Sequence, residues 1–426
     1  PGGRLTIEDC YAYAKFARLV GTNDIDHRAR PHSAEEAAFL GSHVVGAGSV
    51  TFEDLDSAPA VLLVAFEPED EGGIVFLRLR KGVSAGNTRV LSVAPFASRG
   101  LERLGGTLLR AAPGTEPEVL DAIVPKGRGV LGEAAKVLDA DAVIVVGERL
   151  ATVPGGLSAA LRLARRTGAR LVWIPRRVGE RAGVEMGTLP HLLPGGRPVA
   201  DPAARVDLAA LWDVETLPAE PGRSAAEILT AAADGSLGAL VVGGVDPDDL
   251  PEATATAFAS VGFLVSLEVR ASAVTALADV VLPVAPPVER AGTFVSWEGR
   301  RRPFPQALAS TSMADHRVLT ALADAMDLPL GLGSIAQVHA EIDQLGDWDG
   351  QRVPAPDTAA GEPPTLEAGQ AVLATWHMLL DAGRCQDGER FLAGTAQRPV
   401  ARLSATTANG LGLSTGDGLT VRTAAG

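Results

Sequence analysis

Apolar residues in this chain fall into two alternating patterns. Ala60–Phe66, Asp141–Val146 and Arg170–Ile174 are short runs rich in branched side chains, without polar alternation, as expected of strands buried on both faces. Between the last two, Pro154–Thr167 places Leu157, Ala160, Leu161 and Ala164 on one helical face and Arg162, Arg165 and Arg166 largely on the other, with Gly168 as the stop. The first run is followed by a turn at Glu67–Glu71, a helix ending near Lys81 and Gly82, and a strand at Thr88–Ala94. Two strand–helix–strand units with short crossovers predict parallel strands and an α/β fold. Ahead of them, Thr6 caps a helix that runs to about Val20 and puts Cys10, Tyr13, Ala14 and Ala17 on one face. Prolines and glycines break the pattern over 179–220, apart from a short helix near Ala203–Leu211. It resumes with a helix at Ala225–Ala233, strands at Gly238–Val242, Gly262–Leu267 and Asp279–Val284, and a helix at Asp315–Met326. The strand at Asp279–Val284 is expected to be buried. A Pro/Gly/Ala linker follows at 351–375. Arg398–Ser404 and Gly418–Arg422 then read as strands that begin a β-rich domain over 376–426, truncated at its end.

Composition narrows the function classes. The formal charge of −14 argues against general nucleic-acid binding, which needs a basic footprint. No run approaches the ~18 apolar residues needed to cross a bilayer. The chain starts Pro1-Gly-Gly, so residues are expected upstream. Cys10 and Cys385 are far apart and cannot alone hold an iron–sulfur cluster or zinc; Cys10 reads as a small core residue. The low cysteine count agrees with a reducing compartment. His27, His32 and His43 match no common zinc spacing and read as solvated or capping side chains, and Asp246, Asp248 and Asp249 as turn caps. Neither strand-to-helix turn carries a G-x-G-x-x-G dinucleotide fingerprint, and Val45–Gly48 is only a weak glycine pair.

The stretch with most chemical character is Glu289-Arg-Ala-Gly-Thr-Phe-Val-Ser-Trp-Glu-Gly-Arg-Arg-Arg302, which reads as a charged loop leaving a buried strand. Such loops commonly line the ligand crevice of α/β proteins. Three adjacent guanidiniums cannot all point one way, so at least one carboxylate pair is expected among Arg300, Arg301 and Arg302, serving contacts and not catalysis.

This stretch resembles the Glu-x-x-Gly-Thr-x-x-Asn-x-Glu-Gly-Arg-x-Gln signature of the molybdopterin oxidoreductase superfamily, through Glu289, Gly292, Thr293, Ser296, Glu298, Gly299, Arg300 and Arg302. It departs at Ser296, where Asn is usual, and at Arg302, where Gln is usual. Tyr13-x-Lys-Phe-x-Arg18, Gly21–Asp26, Gly244–Pro247 and Ala408–Asp417 extend the likeness along nearly the whole chain. Within the superfamily, His27–Glu36 and the Glu289 stretch look most like the large peripheral-arm subunits of bacterial respiratory complex I, the proton-translocating NADH–quinone oxidoreductase.

The resemblance implies two Rossmann-like domains with parallel sheets, the first over 22–195 and the second discontinuous over 1–21 and 196–350. It places the metal-ligating Cys or selenocysteine of active relatives at about His32, where this chain has no thiolate. It therefore implies a vestigial pterin crevice near His32, Gly292, Thr293, Ser296, Glu298 and Arg300, with no metal, cofactor or catalytic residue in this segment. [4Fe-4S] and [2Fe-2S] clusters would belong to an upstream part of the subunit. The partners implied are the other peripheral-arm subunits, including the flavin-bearing NADH-oxidising one, at the cytoplasmic face of the plasma membrane, with neither nucleic acid nor membrane insertion. The competing expectation is a catalytic molybdenum or tungsten enzyme of the formate dehydrogenase type.

Overall fold

The computed structural model describes the chain apart from residues 47, 49, 251–253, 364, 368, 382, 384, 385 and 424–426, so Cys385 lies outside the described residues. Pro1–Trp376 form one compact unit and His377–Gly426 a second.

The apolar runs form the predicted parallel sheet: β1 (Ala60–Val64), β2 (Arg89–Ala94), β3 (Thr107–Arg110), β4 (Val143–Gly147) and β5 (Arg170–Ile174), ordered β3-β2-β1-β4-β5. Every residue of β1 and β4 is buried. Strand alternation sends Leu62, Val64, Ile144 and Val146 into one apolar cluster and Val61, Leu63, Val143 and Val145 into another. The first cluster is closed by Leu157, Ala160, Leu161 and Ala164 of the Gly156–Thr167 helix, the predicted stripe. Val75, Phe76 and Leu79 of the Gly73–Ser84 helix cover the other face. Burying each such Leu or Val contributes about 1.5–3 kcal/mol relative to exposure, so uniform hydrophobicity is what this central position requires. The single helix expected after β1 is two, Pro68–Glu71 and Gly73–Ser84, separated at Gly72.

After a two-residue pairing of β6 (Leu192–Leu193) with β7 (Arg197–Pro198), a second parallel sheet follows: β8 (Leu240–Gly243), β9 (Leu264–Glu268) and β10 (Val280–Pro283), ordered β10-β9-β8. Here β10 corrects the sequence reading. It is an edge strand, with Val280 37% and Val281 42% exposed, because β9 covers only one side of it. The Glu289 stretch is likewise no irregular loop. β11 (Gly292–Val295) and β12 (Arg301–Phe304) pair as an antiparallel hairpin, its turn made by Gly299 at φ +82° with the Ser296 amide donating to the Arg300 carbonyl. The Ile7–Leu19 helix packs against this hairpin and against the helices Asp315–Ala325 and Ile335–Leu345.

In the second unit the described residues form two short helices, Arg390–Ala393 and Ala405–Gly410. The strands expected at 398–404 and 418–422 do not form: these residues carry no ladder and are exposed, and a strand needs a laddered partner to be stable.

Candidate functional site

Two groups of residues carry the chemistry suggested by the sequence. The first is the loop around His32. Asp26 accepts from Arg28 through both oxygens, Nε to Oδ1 at 3.0 Å and Nη2 to Oδ2 at 2.7 Å, and from the backbone amides of Arg28 and Ala225. Burial pushes the Asp26 carboxyl upward, but Arg28 outweighs it and holds the group well below the usual carboxylate range. Arg30 meets Glu36 at 2.7 Å, Glu180 at 2.9 Å and Glu148 at 3.4 Å, and Arg177 meets the same Glu148 and Glu180 at 3.4 and 3.3 Å. Burial and the neighbouring Glu180 push Glu148 up to about 7 despite the two guanidiniums, whereas Glu180, opposed by its own burial, is held low chiefly by Arg30. His27 is fully enclosed, with Nδ1 3.0 Å from the Thr188 carbonyl oxygen, and burial lowers its basicity. His32 places Nδ1 2.7 Å from the Arg30 carbonyl oxygen, while its buried Nε2 has no hydrogen-bond partner and lies 4.0 Å from Asp26. Of the solvated or capping roles expected for the histidines, the solvated one does not hold for His27, which is 1% exposed, or for His32, whose side chain is 7% exposed.

The second group is the hairpin, held by two buried carboxylates from the first turn of the Ile7–Leu19 helix. Glu8 accepts from the Thr293 amide at 3.0 Å and sits 2.7 Å from His339 Nε2. Asp9 pairs with Arg290 and accepts from the His316 amide at 3.1 Å. Burial would raise the Asp9 carboxyl, but Arg290 and His316 hold it well below its usual range; beside it, burial and then the charge of Asp9 push Asp315 up to about 7. Asp315 also accepts from the Tyr13 hydroxyl at 3.1 Å. Gly292 is a close-approach position: a Cβ there would lie 2.8 Å from Thr6 Cγ2. The Glu298 side chain is buried and accepts from the Phe52 amide at 2.8 Å. The expected arginine–carboxylate pairs are present, with Arg300 and Arg302 at 3.8 and 3.9 Å from Glu298 and Arg301 at 3.1 Å from Asp343. All three guanidinium side chains are about half exposed. Ser296 Oγ is buried without a hydrogen-bond partner.

The two groups use different carboxylates. Both border the Glu180–Glu185 helix, where Glu180 takes Arg30 and Arg181 donates to the Trp297 carbonyl at 3.0 Å. Gly292, Thr293, Ser296, Glu298 and Arg300 lie together at one hairpin, and His32 lies on the 21–33 loop. Sequence reasoning missed a shallow groove, open to solvent, lined by Phe39, His43, Trp173, Arg181 and Trp297 among others. Its nearest sequence signal was Trp297 inside the motif; the π-helical turn Leu40–Val44 that supplies His43 and Val44 has no legible signature.

The donor set does not fit a dithiolene-bound molybdenum or tungsten ion. Such a metal takes an anionic or soft protein ligand, and imidazole is an uncharged donor when it binds. The nearby Asp26 carboxylate is committed to Arg28. Among the described residues no group of three His, Cys, Asp or Glu side chains is arranged to hold a metal ion. No helix of the described residues is long and apolar enough to cross a membrane.

Residues 1–324 match the family model for molybdopterin oxidoreductases. The chain is similar, over its whole length, to the G subunit of the NADH-quinone oxidoreductase of Mycobacterium bovis, at 54% identity and 53% of that protein's length. It is 53% identical to the corresponding G subunit of Streptomyces coelicolor, again over all of this chain and 54% of that protein. Formate dehydrogenase H of Escherichia coli is 29% identical over 38% of this chain and 23% of its own length. The chain spans about half the length of these two G subunits.

Proposed function

The chain belongs to the molybdopterin oxidoreductase family, and from that premise we propose that it serves as a non-catalytic part of the G subunit of an NADH–quinone oxidoreductase. The observation that carries this reading is the 54% identity running the whole chain with the G subunit of Mycobacterium bovis. The chemistry at His32 supports the non-catalytic half: the loop that carries the metal-ligating thiolate in active relatives is here occupied by arginine–carboxylate pairs that satisfy one another. In this proposal the segment is a scaffold. It binds the other peripheral-arm subunits, including the flavin-bearing NADH-oxidising one, on the cytoplasmic side of the membrane. Electron transfer runs through iron–sulfur clusters carried elsewhere in the subunit and assembly.

Metal analysis of the purified, active complex tests this, together with the His32→Ala variant. The expected result is iron at several atoms per complex, no molybdenum or tungsten, and near-normal NADH oxidation in the variant. Stoichiometric molybdenum or tungsten that is lost in the variant together with activity would establish the formate dehydrogenase-type reading instead.

A further inference from the structure

Parallel sheets bind ligands beyond the carboxyl ends of their strands, at the point where strand order reverses. In the first sheet that point lies between β1 and β4, because the chain runs outward through β2 and β3 and then returns to β4 and β5. Here the two strand ends touch. A Cβ on Gly147 would sit 2.4 Å from the Ala65 carbonyl oxygen, and Ala65 itself holds a left-handed φ of +48°, a conformation strained in a residue other than glycine. Just above, Arg149, two residues past β4, reaches across to Glu71, the last residue of the Pro68–Glu71 helix that follows β1, in a bidentate pair at 3.0 and 2.9 Å.

Residues from much later in the chain pack on one face of the first sheet and at the start of the helix that follows β4. The Arg352 guanidinium donates to the Val45 carbonyl, and Val353 and Ala355 pack on the apolar cluster behind the sheet. The Thr358 amide donates to Ser158 Oγ at 2.9 Å and the Gly361 amide to the Pro154 carbonyl at 3.3 Å. Gly155 is glycine for two reasons: its φ is +78°, and a Cβ would lie 2.7 Å from the Ala359 backbone. Trp376 then sits over the strand ends, its indole N–H donating to Asp70 at 2.8 Å, its ring 5.6 Å from Phe96 and 5.8 Å from the Arg149 guanidinium. Finally, the N-terminus of the Gly156–Thr167 helix, where a phosphate would dock in a nucleotide-binding relative of this architecture, receives a buried carboxylate of the chain's own. Glu35 accepts from the Gly155 amide at 2.8 Å, the Ser158 amide at 2.7 Å and the Ser158 hydroxyl at 2.9 Å.

We infer that residues 352–361 and Trp376 form a strap that, with Glu35 standing as an internal anion and Arg149–Glu71 as a crossbar, seals the ligand crevice of the first sheet from within the chain. Residues 352–361 of this strap lie within the Pro/Gly/Ala stretch. The inference rests on the scaffold reading only in treating this crevice as ligand-free.

Hydrogen exchange on the full chain, read at single amides, tests it together with calorimetric titration of ADP, GDP and inorganic pyrophosphate. The expected result is that Thr358, Gly361, Gly155 and Ser158 amides are protected and that none of the three probes gives saturable heat. In Glu35→Gln the Gly155 and Ser158 amides should exchange faster, and in Trp376→Ala the Thr358 and Gly361 amides, each by roughly tenfold or more. Exchange at Thr358 and Gly361 as fast as in an unstructured peptide, in the unmodified chain, would overturn the strap. So would saturable binding of ADP, GDP or pyrophosphate by the unmodified chain. Because the unmodified chain can fail on its own, a poorly folding variant does not shelter the idea. Molybdenum in the purified complex would sink the scaffold reading separately, through a measurement that does not involve the strap.

Discussion

His27–Ser33 carries Arg28 and Arg30 among histidines; Gly299–Arg302 carries three arginines in a row. In the fold they part company. Arg28 and Arg30 are 1% and 3% exposed, whereas Arg300, Arg301 and Arg302 are about half exposed at the hairpin tip. The difference lies in what other elements deliver. The first pair meets Asp26 beside it, Glu36 from the next helix, Glu148 from the end of β4 and Glu180 from a helix 150 residues on. The hairpin arginines share one buried carboxylate, Glu298, and one exposed one, Asp343. A buried charge is tolerable only when matched by others, so the first cluster is locked into the architecture. The second is at liberty to serve a surface.

The sharpest way to break this contrast is Arg30→Met. Removing one guanidinium takes from Glu36, Glu148 and Glu180 the one cation common to all three, leaving Arg28 and Arg177 against three buried carboxylates. Stability should fall by about 3–5 kcal/mol, read from urea unfolding. A loss smaller than about 1 kcal/mol, the range of a surface pair, would erase the distinction between the two clusters.

How far this was visible beforehand depends on the range of the interactions. β1, β4 and the Gly156–Thr167 helix were legible because a strand buried on both faces is apolar throughout and an amphipathic helix shows its stripe. β3 was missed, its two leucines being flanked by Thr107 and Arg110. β10 was found but misplaced, since nothing in Val280–Pro283 says that no strand lies beyond it. The hairpin was taken for a loop because its second strand is largely arginine and proline. At the candidate site, local spacing located the hairpin residues together. The partners of Arg30 and Arg290 were not legible, for they come from 150 and 281 residues away.

A second, intermediate effect concerns the carboxylates behind the hairpin. Asp315 is raised from 3.8 to about 7 by burial and by Asp9, so the folded state holds its proton more tightly than the unfolded state does. The resulting stabilisation is complete below the ordinary Asp value and is lost as pH rises through about 7. Asp315→Asn imitates the protonated form and should become more stable than the parent across that window, by on the order of 1–3 kcal/mol at its upper end. Asp9 has the opposite sign: its contribution is present above 3.8 and fades as pH falls below that value. Unfolding measured from below pH 3.8 up through about 7 checks both. A difference between Asp315→Asn and the parent that does not grow with pH would show that burial of Asp315 has no such consequence.

The smallest effect belongs to the hairpin tip. Changing Arg300, Arg301 and Arg302 together to alanine removes three partly exposed pairs, each of a kind that contributes about 0–1 kcal/mol and is weakened by salt. The backbone of the hairpin should persist, because Glu8 still accepts from the Thr293 amide and Glu298 from the Phe52 amide, neither of which involves these side chains. Glu298, deprived of both nearby guanidiniums, is where most of the modest cost should fall, and Glu298→Gln in the triple variant should recover part of it. If the tip serves contacts with other subunits, the variant chain should be nearly as stable as the parent yet assemble more weakly into the complex, with NADH oxidation lost in proportion to assembly. Normal assembly with turnover alone abolished would mean that these arginines act in the chemistry, and the scaffold reading of the hairpin would be wrong.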